Sequence, residues 1–276
     1  MAATPPAPER ADTGSPRSRL SPAIGLIAGL ASGLLGVGGG FLIVPLQIVW
    51  ANREPHRASG TSLAAILPIA LVGAARYYFG GGRRPQVDVA VAFLLVVGSA
   101  AGAYLGARAI HRVPRRGLQR FVAVVLAVVG AYEILGVVAW PDLVAAHAQP
   151  AHLDPLHMAL VAAAGAGIGL VGGLTGVGGG VFLVPAMVLG FGLSQHLAQG
   201  TSLVAILPTA AIGALMHYRR DNVDVRAAAW IGGVGAPAAL VGASLALALP
   251  QTVLILIFGA FLVAAATRMW PRRAPA

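Results

Sequence analysis

Two five-residue runs have the spacing most suggestive of chemistry in this chain: Gly36-Val37-Gly38-Gly39-Gly40 and Gly176-Val177-Gly178-Gly179-Gly180. Each interrupts an apolar segment, and each is followed five residues later by a proline, Pro45 and Pro185. Broken backbone at membrane depth persists only where it is buried in protein or lines a wet cavity. Glycine reaches positive φ and allows close approach, so successive N–H groups can turn toward one point. Short helices starting at Phe41 and Val181 would present free N–H donors and about half a positive charge. Two such starts meeting near the bilayer midplane would bind an anion. The alternative use of the same glycines is tight helix packing.

Gly60-Thr61-Ser62 and Gly200-Thr201-Ser202 stand close to the start of the next apolar run in each case. Their hydroxyls can bond substrate oxygens, or can cap the helix that follows. Of the nine acidic residues, only Glu133 falls well inside a long apolar run, 117–139, since Asp88 stands at the very start of 87–109. A carboxylate there must face the protein interior or sit near the interface, and it is the candidate for proton coupling. His217, beside Arg219 and Arg220, reads as the cytoplasmic end of its helix. A cation carrier would show several buried carboxylates, so the substrate is expected to be anionic or neutral. His147, His152 and His157, with Asp142 and Asp154, are spaced for a solvated outer loop and not for a helical metal site. No metal or cofactor is expected.

These residues must be positioned by membrane helices. Apolar runs cover 22–35, 40–51, 58–79, 87–109, 117–139, 157–175, 180–191, 198–217, 225–248 and 252–268. Crossing a hydrocarbon core takes about 20 helical residues. The runs at 22–35 and 40–51 are too short alone, and a glycine cluster separates them. Sliding the chain by 140 residues lays Gly29–Val49 over Gly169–Leu189, and Ala58–Ile69 over Ala198–Thr209. At an offset of 136, Val87-Asp88-Val89 faces Val223-Asp224-Val225 and Pro114 faces Pro250. The expected organisation is a cytoplasmic tail over 1–20, a first membrane repeat over 21–140, an extracytoplasmic loop over 141–156 and a second repeat over 157–270.

Arginine placement chooses between two architectures. If each short pair is one crossing, the arginines divide 12 to 7 across the membrane. If each short pair enters and returns to its own side, 16 share the side of both termini and only Arg76, Arg83 and Arg84 lie opposite. Arginine excess marks the cytoplasm, which favours the second plan with both termini inside. It leaves a glycine-broken hairpin and three full crossings per half. The fold class is therefore an all-α polytopic membrane protein with its halves arranged as an inverted repeat.

Composition agrees: of 276 residues, 57% are hydrophobic, only 10% are charged, and the net charge of +10 comes from arginines that flank apolar runs. Nucleic acid is not the expected partner; the bilayer is. Cysteine and lysine are both absent, which excludes thiol chemistry, Cys-based metal centres, a Walker A loop and a Schiff base. No HExxH or GxSxG occurs, and Phe41 or Val181 replaces the last glycine of a dinucleotide fingerprint, so nothing supports an enzyme.

The stretches GLLGVGGGFLIVPLQIVW and GLTGVGGGVFLVPAMVLG, with ASGTSLAAILP and AQGTSLVAILP, resemble the TauE/SafE family of sulfite exporters over about residues 20–270. The resemblance implies a bacterial inner-membrane permease that exports sulfite or an organosulfonate such as sulfoacetate. It implies substrate binding at Gly36, Gly38, Gly39, Gly40, Pro45, Gly60, Thr61 and Ser62, and at Gly176, Gly178, Gly179, Gly180, Pro185, Gly200, Thr201 and Ser202. A passive anion channel and a non-transporting membrane assembly protein are the competing readings. The coupling ion and oligomeric state are not legible in the sequence.

Overall fold

The computed structural model describes residues 20–80, 82, 85–109, 115–139, 154–175 and 180–270. Outside them lie most of the tail, the centre of the 108–120 loop, most of the 141–156 loop with His147 and His152, Arg83 and Arg84, and Gly176, Gly178 and Gly179 of the second glycine run. Every regular element among the described residues is helical. In chain order they are α1 (Ser21–Leu35), α2 (Gly40–Ala51), α3 (Pro55–Gly80), α4 (Val89–Ala109), α5 (Arg115–Ala139), α6 (Pro155–Thr175), α7 (Gly180–Pro185), α8 (Gln195–Tyr218), α9 (Val225–Ala248) and α10 (Gln251–Met269).

Local sequence explains the boundaries. α1 has a proline in its first turn and ends where Gly36 turns left-handed at φ +70°. α4 and α9 start on equivalent aspartates: Asp88 accepts from the Val91 N–H at 3.0 Å and Asp224 from the Ala227 N–H at 2.9 Å. After Pro185, α7 widens into a π-helical turn over Ala186–Gly190, whereas α2 stays α-helical past Pro45 to Ala51.

Among the described residues, five helices are long and apolar enough to cross a membrane: α3, the Gly117–Ala139 part of α5, α8, α9 and α10. The protein is a multi-pass membrane protein. The sixth crossing expected from the sequence, 87–109, is helical over Val89–Ala109 as α4. α1 and α2 are shorter apolar helices, as the lengths of their runs suggested.

Lipid gives apolar side chains no reason to leave it, so these helices associate through close backbone approach. α1 lies on α9, with Gly25 against Ile231, Gly29 against Gly235 and Gly33 against Ala239. The paired numbers rise together, so the two helices run parallel. α6 lies on α4 in the same way, with Gly165 against Leu95 and Gly169 against Ser99. Each α6–α4 pair is the α1–α9 pair carried over by the two repeat offsets. α3 and α8 pack directly on each other and antiparallel: Gly60 meets His217, Leu63 meets Gly213, Leu203 meets Gly73, and Gly200 meets Tyr77. α5 pairs with α10 through Gly130 and Gly259.

The loops at the two ends of the α3–α8 pair come together in matching fashion. At one end Arg53 forms a 2.8 Å ion pair with Asp224. At the other, Gly200 sits under the Gln86 carbonyl, and Arg76 donates to Ser244 at 2.8 Å.

Candidate functional site

The first glycine run turns the chain between α1 and α2 with three residues at positive φ, Gly36 (+70°), Gly38 (+75°) and Gly39 (+75°). A side chain at any of these would be strained, which is why the sequence has glycine there. Gly36 rests on Gln199: a Cβ at Gly36 would lie 2.5 Å from the Gln199 Cα. Gly38 leans on the Ile206 side chain, 2.8 Å from its Cδ1 by the same measure. Gly39 opens toward Ser32, whose Cβ would be 3.6 Å from an added Cβ, and Gly40 toward Ser62 Oγ at 3.8 Å.

The two broken segments meet. Gly180, the described end of the second run, comes close to the first: a Cβ added there would lie 2.9 Å from the Val37 carbonyl oxygen and 3.2 Å from Ile206 Cδ1, so one isoleucine lies against both Gly38 and Gly180. The equivalent isoleucine, Ile66, packs on Gly40, its Cδ1 2.9 Å from where a Cβ would stand. The remaining glycines of the second run lie outside the described residues.

The two Gly-Thr-Ser motifs distribute their residues between two tasks. Gly60 and Gly200 let α3 and α8 approach the loops before α9 and α4. Thr61 Oγ1 accepts from the Asp224 backbone N–H at 3.0 Å, and Thr201 Oγ1 from the Asp88 N–H at 2.8 Å. Each threonine thus ties its own half to the helix-starting aspartate of the other. Thr61→Ala and Thr201→Ala are each expected to lower stability by about 0.5–1.5 kcal/mol, the net value of one intramolecular hydrogen bond. The two should lower the thermal midpoint of the purified protein by similar amounts, because the bonds are equivalent.

The serines face the break. Ser202 donates to the Gly36 carbonyl. Ser62 Oγ is buried with no hydrogen-bond partner among the described residues. Its repeat-equivalent acceptor, the Gly176 carbonyl, lies outside them.

Pro45 lies on the exposed side of α2, whereas Pro185 is buried. Glu133 is 4% exposed, and neither carboxylate oxygen has a partner among the described residues. It stands one helix away from the break: α10 lies between, with Gly259 on Gly130 and Phe261 edge-on to Phe41 at 5.8 Å.

Several polar groups around the break escaped the sequence reading. Ser32 Oγ and Gln199 Nε2 are buried and unpartnered among the described residues, and Gln47 donates to the Ala58 carbonyl at 3.2 Å while its Oε1 is unpartnered. Gln199 Oε1 faces the Tyr77 hydroxyl at 2.9 Å, and that hydroxyl also lies 3.0 Å from the Gly33 carbonyl. Ser32 had a usable signal: it lies one turn before Gly36, on the face carrying Gly25, Ala28 and Gly29.

The family model described as sulfite exporter TauE/SafE matches residues 1–133 and 161–276. The chain belongs to the TauE/SafE family. Its relatives are transporters by name, not enzymes. A probable membrane transporter protein of Bacillus subtilis strain 168, YunE, is 28% identical over 233 residues, covering 76% of this chain and 84% of its own length. A probable membrane transporter protein of Xylella fastidiosa strain 9a5c is 32% identical over 202 residues, 72% of this chain and 74% of its own. A second Bacillus subtilis transporter, YdhB, is 24% identical over 198 residues. No solved structure matches this TauE/SafE chain.

Proposed function

We propose that this TauE/SafE protein exports a small sulfur oxyanion, sulfite or an organosulfonate such as sulfoacetate, across the bacterial inner membrane. The substrate sits between the two glycine breaks, which the membrane repeats over 21–140 and 157–270 bring together. The observation that carries this reading is the meeting of the breaks at Val37 and Gly180, beside the start of a 12-residue helix and buried unpartnered polar groups. Helix α2 leaves its first N–H groups without intrahelical partners and offers a partial positive charge to an anion. No arginine is buried among the described residues. A site without a fixed full charge holds an anion strongly enough to admit it and weakly enough to release it.

The halves act as an inverted repeat, a reading supported by the antiparallel α3–α8 pair and by the reciprocal α1–α9 and α6–α4 contacts. The termini are cytoplasmic on the 16 to 3 arginine division, and the Arg53–Asp224 pair joins two loops assigned to that side.

Proteoliposome flux of labelled sulfite, with and without a pH gradient, tests the function. Saturable flux that responds to the gradient is expected. Non-saturating, voltage-following flux would make the protein a channel, and absent flux would end the sulfur-oxyanion reading. For coupling, Glu133 is the residue to change, because it is a buried carboxylate with no partner among the described residues in the membrane. Glu133→Gln is expected to abolish the response to the pH gradient while leaving substrate exchange at equilibrium. Gradient-driven flux at the wild-type rate would remove Glu133 from the mechanism.

A further inference from the structure

The polar groups around the first break are not equal. Thr61, Thr201 and Ser202 each have a protein partner: the Asp224 N–H, the Asp88 N–H and the Gly36 carbonyl. Ser32 Oγ, Ser62 Oγ and Gln199 Nε2 have none among the described residues, and all three residues are at least 99% buried. Buried polar groups are almost always paired, and leaving one unpaired is destabilising, so three around one glycine turn call for an explanation.

The placement of the three supplies one. Ser32 opposes Gly39 and Ser62 opposes Gly40, the two residues from which α2 starts, and Gln199 is rooted against Gly36. Each can donate: two hydroxyls and an amide NH2. The Tyr77 hydroxyl, with one proton between the Gly33 carbonyl and Gln199 Oε1, anchors one end of that amide; with the proton on Oε1, the end left without a partner among the described residues is the NH2. The arrangement is also asymmetric: by the repeat offset of 140, Ser32 corresponds to Gly172 and Gln199 to Ser59, while Ser62 corresponds to Ser202, whose hydroxyl is committed to the Gly36 carbonyl.

We infer that Ser32, Ser62 and Gln199 are the side chains that bind and select the substrate, donating to an acceptor-only oxyanion seated on the start of α2, while Thr61 and Thr201 only position the two halves. This deepens the anion-export reading above and rests on it. The chemistry fits an SO3 group, whether in sulfite or in a short sulfonate, because its oxygens accept and do not donate.

The test is equilibrium binding of sulfite and of methanesulfonate to the purified full chain, with a thermal midpoint measured for every variant. Removing a hydroxyl that has no partner among the described residues breaks no bond seen there. Ser32→Ala and Ser62→Ala are therefore expected to keep or raise the midpoint while weakening binding about tenfold or more, as befits a hydrogen bond to a charged partner. Gln199→Leu should weaken binding similarly. Thr61→Ala should do the reverse, with a lower midpoint and a wild-type dissociation constant. Wild-type affinity in the Ser32→Ala/Ser62→Ala double variant would overturn the inference while leaving the anion site standing. A lowered midpoint with unchanged affinity in Ser62→Ala would assign that hydroxyl to a structural bond like that of Ser202, and would also overturn it. If the wild-type chain binds neither probe, the anion-export reading fails together with the inference.

Discussion

Gly29→Val is expected to destabilise the fold severely, with a large drop in its thermal midpoint. Gly29 sits where α1 and α9 touch backbone to backbone: a Cβ there would overlap the Gly235 carbonyl oxygen and lie 2.7 Å from its Cα. The helices would have to separate by about 1 Å to restore carbon contacts of about 3.5–4.0 Å. Gly25 and Gly33, in the same row, would lose their contacts with Ile231 and Ala239 as the helices parted. Overpacking of this kind typically costs about 1–3 kcal/mol, and a rigid backbone partner places this site at the upper end. That is a large part of a stability of about 5–15 kcal/mol. Gly169→Val, against Ser99 on α4, is expected to be destabilised in the same way. Gly233→Val and Gly167→Val are the controls, since nothing lies within 4 Å of either position. Thermal midpoints in one detergent decide the matter: Gly29→Val melting with the Gly233→Val control would show that the close approach does not hold the fold.

Gly39→Ala should separate folding from transport. At φ +75° an alanine is strained by about 1–2 kcal/mol. Its methyl is otherwise tolerated, with the Ala28 carbonyl oxygen at 3.3 Å and the Ile43 and Ser32 side chains at 3.5 and 3.6 Å. The variant should therefore fold, with a modest loss of stability. The methyl would occupy the space in front of the first N–H groups of α2, so sulfite flux in proteoliposomes should be lost. Gly36→Ala makes a poorer probe, because its Cβ would meet the Gln199 backbone at 2.5 Å. Wild-type flux through a folded Gly39→Ala protein would show that the anion does not approach this turn.

Much of the architecture was legible because it is duplicated. The offsets of 140 and 136, read from letters alone, turn Thr61–Asp224 into Thr201–Asp88 and Gly29–Gly235 into Gly169–Ser99. The same method hides whatever the halves do not share. Ser32 faces a glycine in the other copy, Gln47 a methionine, and Tyr77 a histidine, so a search for repeated motifs discards the residues that make the first break polar. The threonines show another limit. A sequence shows that a hydroxyl recurs, but only packing decides whether its partner is a substrate or the backbone of a distant loop.

The reciprocal packing also orders the birth of the protein. α4 finds its partner α6 about 70 residues later in the chain, but α1 has to wait about 200 residues for α9. At a synthesis rate of about 5–20 residues per second, the glycine face of α1 stays unmatched for roughly 10–40 s. Insertion into the bilayer and completion of the fold are thus separate events on the ribosome's timetable. The first glycine turn, flanked by the helix that waits longest, takes its final shape only when the chain is nearly finished.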